Sequence, residues 1–569
     1  MSHHNKRYQH TIEFLKKVLP APATILDLGT RNTFSEIMEQ HGYTVINTEG
    51  EDLDVLPDIV KQHKVDAVTA FEIFEHLIAP FNVLRAIEST KIIATIPLNL
   101  WFTKAYQSKT DEWDRHYHEF EDWQFDWLLN KSGWDIKKTQ KWTSPIHKIG
   151  FRPILRRYTP RYYAVYAEKK ERFMRIGMIL DKTFPPDPRV ENEAVALINS
   201  GHQVFLFCLT YDKNEGGAVI NKIEVKRYLS NKLEYKLSAL VYTFPFYTWL
   251  MRSKINDFLV KNMIDAIHIH DIRIAEAVFK ANLKLNLPVV LDLHDNMPEI
   301  MKLYPHLQKF PGKQLISPLK WKKKEEAFIQ KVDKVITVSQ EFIDEVVERT
   351  KISKNKIVLV PNTVQKSFYE DAIINRSILE KYKKDFVILY LGDTGLRRGL
   401  QTAIAAIALL KNKIKNIKLV IVGKNSTDTV LKEQVKRLKI ENLVDFEGWQ
   451  NVALFPSYIQ SSSVCISPLH RNIQHDVAYA NKLFQYMSFS KPVLVSNAIA
   501  QKNLIERTNS GLVHLERDSD DFSKKVLSLY QDSELCESLG ENGKQFIEEE
   551  FCWEKTSKKL IKLYDELEN

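Results

Sequence analysis

The feature that most limits what this chain can fold into is one unit repeated along most of its length: a short apolar run, a turn residue, then a helical stretch. Thr24-Ile25-Leu26-Asp27-Leu28-Gly29 is the first such run and reads as a buried strand ending in a turn glycine. Phe34 to His41 reads as the helix after it, and Tyr43 to Ile46, Asp66 to Ala70 and Lys91 to Ile96 as further strands. Strands alternating with helices imply a parallel, doubly wound sheet.

The pattern then restarts. Lys169 to Arg172 is a charged hinge, and a new strand begins at Met174-Arg175-Ile176-Gly177-Met178-Ile179-Leu180. This second unit continues through Val204 to Phe207, Ala266 to His270, Val289 to His294 and Val335 to Ser339, and ends near Val358-Leu359-Val360-Pro361-Asn362. A third runs from Phe386-Val387-Ile388-Leu389-Tyr390-Leu391-Gly392 through Leu419 to Gly423, Val444 to Trp449, Val464 to Pro468 and Pro492 to Ser496, with a helical tail. Three units also suit the length, since 569 residues are too many for one core. The expected boundaries are 1–168, 169–370 and 371–569. Two α/β lobes in succession bind ligands in the crevice at the strand C-terminal ends.

Composition narrows the function classes. Hydrophobic content of 44% and charged content of 27% are those of an ordinary globular protein. A net charge of +9 is mild for this length and argues against nucleic-acid binding, while suiting phosphorylated substrates or an anionic membrane face. Cys208, Cys465, Cys536 and Cys552 lack metal-site spacing, so neither disulfides nor a zinc site is expected, and a reducing cytoplasm is. The N-terminus has no apolar signal-peptide core. The most apolar window, Leu237 to Met251, is too short to span a bilayer and contains Pro245, although it suits contact with a membrane surface.

The chemistry concentrates in His475-Asp476-Val477-Ala478-Tyr479-Ala480-Asn481-Lys482-Leu483-Phe484-Gln485-Tyr486-Met487, followed by Ser490-Lys491-Pro492-Val493. Polar and basic groups stand just before a short amphipathic helix. A helix start gathers unpaired N–H groups and partial positive charge, which suits an anion such as a sugar-nucleotide diphosphate. The block resembles the donor-binding segment of family 4 glycosyltransferases, which have the two-lobed GT-B fold. Other matching motifs follow the family's order over about residues 172–567: Pro185 to Glu191, Ser200-Gly201-His202-Gln203-Val204, Val360-Pro361-Asn362, Arg398-Gly399, Val422-Gly423 and Gly448-Trp449.

Transfer from a nucleotide-sugar requires a leaving diphosphate to gain charge, and without a metal that charge needs Arg, Lys and helix N–H groups. Arg398 and Lys482 are the candidates, with Arg397 a neighbour able to substitute; Gly392 opens the loop that carries the arginines. Many family members carry two glutamates eight residues apart, where this chain has Val477 and Gln485. Gln485 still hydrogen-bonds a hydroxyl but cannot act as a base. Asp476 is the nearest carboxylate and is the candidate for the donor sugar; its alternative role is capping a loop. His294, after a buried strand, resembles the family histidine near the transferred sugar. His268 and His270 share one strand face and read as cleft-lining or structural. The resemblance implies retention of anomeric configuration, no metal, a nucleotide-sugar donor and a glycan or lipid-linked acceptor in surface polysaccharide assembly. A nucleotide-sugar epimerase of the same fold is the competing enzyme class.

Residues 22–168 resemble class I S-adenosylmethionine-dependent methyltransferases. Leu26-Asp27-Leu28-Gly29 is similar to their first motif, and Glu49, 22 positions after Asp27, to the carboxylate that holds ribose hydroxyls. Asp66-Ala67-Val68, Glu75-His76-Leu77 with Pro80, and Arg115 to Phe120 follow in order. The resemblance implies S-adenosylmethionine at Asp27, Gly29 and Glu49, and methylation of the glycan. Thr30-Arg31-Asn32-Thr33 departs from the family's further glycines and narrows the approach to a cofactor. A non-catalytic docking module is therefore the alternative. His116, His118 and Glu119 are metal-like by type but read as structural.

Overall fold

The computed structural model describes residues 3–567, other than 62–63, 111–113, 146–149, 171–172, 214–215, 305–306, 308 and 311. The chain divides into two compact units, residues 1–171 and 172–569. Part of the expected hinge, Glu171 and Arg172, lies outside the described residues.

Unit 1 is one sheet of six strands: β1 (Thr24–Asp27), β2 (Thr44–Asn47), β3 (Ala67–Phe71), β4 (Lys91–Pro97), β5 (Trp134–Thr143) and β6 (Pro160–Lys169). Their order is β2-β1-β3-β4-β6-β5. The four strands read from the sequence pair in parallel. The sheet as a whole is mixed, however, which corrects the all-parallel expectation: β6 is inserted antiparallel between β4 and β5. The sequence hides β5 because it alternates buried or half-buried positions with exposed ones such as Asp135 and Lys137, as an edge strand does, and so lacks a continuous apolar run. The core on one face is led by Leu26, Phe74, Phe125 and Trp134. On the other face, Phe14 and Leu15 of the helix His3–Val18 pack with Phe34 and Met38.

Unit 2 holds two further sheets. The first contains β7 (Arg175–Leu180), β8 (Gln203–Thr210), β9 (Ala218–Ile220), β10 (Ile223–Leu229), β11 (Ala266–His270), β12 (Val289–Asp292), β13 (Lys334–Thr337) and β14 (Ile357–Leu359), in the order β14-β13-β12-β11-β7-β8-β10-β9. It is parallel except for the edge hairpin β9–β10. The second contains β15 (Phe386–Leu391), β16 (Ile417–Val422), β17 (Val444–Gly448), β18 (Val464–Ser467), β19 (Val493–Ser496) and β20 (Gly511–His514), in the order β17-β16-β15-β18-β19-β20 and wholly parallel. Central strands such as β18 and β19 are buried along their whole length, as a parallel sheet covered on both faces requires.

The two lobes are tied by the chain's last helix. Lys558–Leu567 returns to the first lobe, where Leu560, Leu563 and Tyr564 join the core of β7, β8 and the helix Pro188–Asn199. The Tyr564 hydroxyl meets His268 Nδ1 at 2.8 Å. None of the four cysteines forms a disulfide. Among the described residues, no helix is long and apolar enough to cross a membrane.

Candidate functional site

In both sheets of unit 2 the strand order reverses beside the first strand: between β7 and β11, and between β15 and β18. Loops leaving a parallel sheet on either side of such a reversal diverge and leave a crevice. Here the two crevices share one cavity of about 490 Å³. Asp187, Arg189, His294, Asp295 and Asn362 line it from the first lobe, and Asp393, Arg397, Arg398, Gln474, His475 and Lys482 from the second.

The second lobe supplies a cationic wall. Arg397 and Arg398 sit on the short turn Leu396–Arg398 after β15. Gly399 follows at φ +78°, where a Cβ would fall 1.7 Å from the Pro468 carbonyl oxygen, so only glycine lets this loop rest on the end of β18. Asp393 steadies the arginines, with its Oδ2 3.4 Å from Arg398 Nε and 3.9 Å from Arg397 Nη2. Lys482, first residue of the helix Lys482–Met487, lays Nζ 3.5 Å from the Tyr390 ring centroid. A Cβ at Gly392 would stand 3.4 Å from that nitrogen. Burial first, then the Arg398 charge, hold the Lys482 pKa well below the usual lysine value. The first amides inside this helix already donate backward, Leu483 N to the Ala480 carbonyl at 2.9 Å and Phe484 N to the Asn481 carbonyl at 3.2 Å, so the side-chain cations carry the positive charge of this wall. The wall is thus short of negative charge, and an anion at its surface would relieve it.

The first lobe supplies a buried acid–base array. His294, just beyond β12, directs Nε2 to Asp292 Oδ2 at 2.7 Å and to His270 Nδ1 at 3.1 Å. Asp292 in turn receives the Arg189 guanidinium bidentately, at 2.9 and 2.7 Å. Burial alone would depress the His294 pKa, but the Asp292 carboxylate outweighs it and the net direction is upward. With Nε2 committed to Asp292, Nδ1 is the ring nitrogen left for the cavity. His268 and His270 are fully buried and belong to the core of this array rather than to the cavity lining.

Gln474 joins the walls: its Oε1 accepts from Asn296 N at 2.7 Å, and its Nε2 donates to Asp295 Oδ1 at 2.5 Å. His475 is held at Nδ1 by the His470 carbonyl at 2.7 Å, and burial lowers its pKa to about 4, so it is neutral. Asp476, expected at the donor sugar, does not line the cavity. Arg471 grips both its oxygens at 3.1 Å, and Oδ1 also accepts from Ile499 N at 3.0 Å, so the carboxylate caps the helix Ile499–Thr508. Gln485 is half-buried one turn into its helix and also lies outside the lining. Of the residues expected here, the structure brings together His294, Arg398 and Lys482 with Gly392 behind them, and leaves Asp476 and Gln485 aside.

Unit 1 has its own cavity of about 240 Å³ at the ends of β1 and β3, lined by Arg7, Asp27, Gly29, Asn32, Glu72 and Thr95 among others. Asp27 is buried, accepts from Thr69 Oγ1 at 2.6 Å and Asn47 Nδ2 at 3.2 Å, and burial lifts its pKa to about 6. Gly29, at φ +105°, donates its N–H to Thr48 Oγ1 at 2.7 Å. Glu49 is exposed and outside the cavity. The space is smaller than the roughly 300 Å³ at which drug-sized ligand sites begin. The Asn47 amide closes the turn by also bonding the Gly29 carbonyl at 3.2 Å. Of the three residues expected at S-adenosylmethionine, Asp27 and Gly29 line this cavity and Glu49 does not.

Comparison with known proteins agrees with the geometry of unit 2. Residues 189–368 match the model of "Glycosyltransferase Family 4", and residues 371–546 that of "Glycosyl transferases group 1". Residues 189–546 are a family 4 glycosyltransferase domain of GT-B fold. The domain is 22% identical over 245 residues to the capsular polysaccharide biosynthesis glycosyltransferase CapM of Staphylococcus aureus, covering 41% of this chain and 61% of that one. It is 21% identical over 336 residues to the N-acetyl-α-D-glucosaminyl L-malate synthase of Bacillus anthracis, covering 57% of this chain and 80% of the relative. Among solved structures, the sucrose-phosphate synthase of Thermosynechococcus elongatus superposes with a TM-score of 0.57 at 17% identity, covering 69% of this chain and 99% of that one. Anabaena HepE in complex with UDP-glucose gives 0.52 at 14%, covering 69% of this chain and all of that one.

Sequence reasoning missed several lining residues of this glycosyltransferase domain. Gln474 and Asp295 each adjoin a residue it singled out, yet their pairing joins positions 179 apart and has no local signal. Arg189 stood in a matched motif, but only the fold puts its guanidinium on Asp292.

Proposed function

We propose that residues 172–567 transfer a sugar from a nucleotide-sugar to a glycan or lipid-linked acceptor in surface polysaccharide assembly, with retention. The observation that carries this reading is the convergence of Arg397, Arg398, Lys482 and a helix start on one face of the cavity, opposite His294. The donor's diphosphate lies against Arg398 and Lys482, whose charges and N–H groups stabilise the leaving phosphate as the glycosidic bond breaks. His294, protonated through Asp292, donates Nδ1–H to a hydroxyl of the transferred sugar. The acceptor hydroxyl attacks from the face the phosphate leaves, and a departing phosphate oxygen takes its proton. No side-chain base is needed, which accords with Gln485 in place of a glutamate.

A uridine diphosphate sugar is the favoured donor class, because the superposing Anabaena protein was solved with UDP and with UDP-glucose. A polysaccharide acceptor is favoured by the likeness to CapM. Peripheral contact with the inner membrane face belongs to the same reading. Phe246 and Trp249 are 61% and 76% exposed on the helix Phe246–Lys261 and lie beside Arg252 and Lys280. Thermal-shift screening of nucleotide-sugars tests the donor, since a bound ligand stabilises only the folded state. Stabilisation by a uridine diphosphate sugar is expected. Acceptor-free interconversion of a nucleotide-sugar would instead make the domain an epimerase.

A further inference from the structure

Unit 1 gathers a carboxylate and two imidazoles outside its cavity lining. Glu75 and His76 lie on the short turn Phe74–His76 after β3, and His116 comes from the loop before the helix Asp122–Lys131. Backbone bonds fasten that loop in place: the N–H groups of Tyr117 and His118 donate to the Glu75 carbonyl at 2.8 and 3.2 Å. The two histidine rings meet edge to face at 5.1 Å. One carboxylate oxygen of Glu75 and one ring nitrogen of each histidine all lie within 4.8 Å of one another.

The hydrogen bonds around the rings fix which nitrogens are free. His76 Nδ1 is 3.0 Å from the Arg115 carbonyl oxygen, which only accepts, so Nδ1 carries the proton and Nε2 presents a lone pair. That Nε2 is 3.8 Å from Glu75 Oε1. His116 Nδ1 is 3.0 Å from Glu119 Oε1, an oxygen that also accepts from Tyr106 N at 3.0 Å. Its Nδ1 is therefore protonated too, leaving Nε2 as a lone pair. The Glu75 side chain is 1% exposed, and its Oε2 has no hydrogen-bond partner. Three electron-pair donors thus converge, and among the described residues no lysine or arginine pairs with Glu75. A buried carboxylate without compensation is costly, and a cation is the group that removes the cost.

A second cluster in unit 2 makes the contrast. Glu193, His268, His270 and Asp292 satisfy the same distance limit. There Arg189 already stands 2.9 Å from Glu193 and 2.7 Å from Asp292, and His268 is bonded to Tyr564. At that cluster the protein supplies an ion-pairing cation, whereas the arginines that act on Glu75, Arg161 and Arg7, do so only from beyond ion-pair distance.

We propose that Glu75, His76 and His116 form a site for a divalent transition-metal ion of the Zn²⁺ type. Two imidazoles and one carboxylate suit such an ion, and three protein ligands leave one coordination position open. The Arg115 carbonyl and the Glu119 carboxylate orient the two rings, as outer partners of ligating histidines do. His118, whose Nε2 faces the Ile78 carbonyl at 3.3 Å, is not among the groups whose ligand atoms lie within 4.8 Å of one another. Glu72, three residues before Glu75, lines the unit 1 cavity, so the ion stands next to that space. The site is independent of the sugar-transfer reading.

The test uses the full chain, stripped with chelator and titrated with Co²⁺ and then Zn²⁺. One equivalent of Co²⁺ should give ligand-field absorption that Zn²⁺ abolishes. His116→Ala and Glu75→Gln should lose that absorption, and His268→Gln should keep it. Glu119→Gln should weaken Zn²⁺ binding by about 10–100-fold. X-ray absorption at the metal edge of the unaltered protein should read two imidazoles and one carboxylate, and this arm does not depend on a variant folding. Ligand-field absorption that is absent, that survives His116→Ala and Glu75→Gln, or that vanishes in His268→Gln overturns the proposal. So does an edge spectrum without imidazole.

Discussion

Replacing Arg398 by alanine separates catalysis from folding more sharply than any other change in the cavity. Its carboxylate neighbour is Asp393, 3.4 Å from Nε, and the two side chains are 26% and 35% exposed. Ion pairs that open to water contribute about 0–1 kcal/mol, so the variant should unfold within a few degrees of the parent. Its effect on turnover should be far larger. Losing one donor aimed at a developing oxyanion removes roughly 2.7–4 kcal/mol of stabilisation, or about 10²–10³ in kcat. A second signature comes through Lys482, whose pKa is held down by burial and then by Arg398. A bound diphosphate raises that pKa, so donor binding takes up a proton wherever the free lysine is deprotonated. Without Arg398 the free Lys482 is already more protonated, and the uptake shrinks. Steady-state kinetics gives the first quantity, and calorimetry in buffers of different ionisation enthalpy gives the second. Unchanged turnover together with unchanged proton uptake would remove Arg398 from the site; a collapse of stability would mean that its role is structural.

Three other consequences can be measured. Burial lifts Asp27 to about 6, above an unfolded value of about 3.9, so the folded state keeps a proton that the unfolded chain has lost; this contribution is present below pH ~4, disappears as pH rises through 6, and amounts to about 3 kcal/mol. Asp27→Asn should therefore flatten the pH dependence of unit 1 unfolding between pH 4 and 7, and an unaltered profile contradicts the assignment. Leu563 is 1% exposed where the last helix rejoins the first lobe, so Leu563→Ala should cost about 2–5 kcal/mol in denaturant titration; no loss would mean that the helix is not docked there. Phe246→Ser with Trp249→Ser should abolish co-sedimentation with vesicles containing anionic lipid while leaving the melting temperature near the parent's, and retained binding sends the membrane contact elsewhere.

What the sequence revealed and what it withheld follow from the range of the interactions. The buried strands were legible because continuous apolar runs are local, and β15 with its Gly392 is an example. Arg398 and Lys482 were legible for the same reason: each stands at a loop-to-helix start whose chemistry follows from neighbouring residues. Strand β6 was not, because its antiparallel insertion between β4 and β5 is a choice of partner and direction that no short window carries. Asp476 shows the opposite failure. It has the right charge beside the right helix, yet Arg471, five residues earlier, and the start of the next helix claim both of its oxygens. Glu49 stands outside the unit 1 cavity lining, since its strand ends at Asn47 and the residue is exposed. The Glu75, His76 and His116 cluster was passed over because its third member arrives through the backbone bonds of Tyr117 and His118.

The cavity where the two sheets of unit 2 meet is the place proposed for the nucleotide-sugar diphosphate. A crystal structure of the full chain with UDP tests it most directly. Density for the diphosphate is expected against Arg398, Lys482 and the start of the helix Lys482–Met487, with the transferred-sugar side of the pocket opening toward His294. Diphosphate density away from those residues, or crystals that stay free of nucleotide at millimolar UDP, would contradict it.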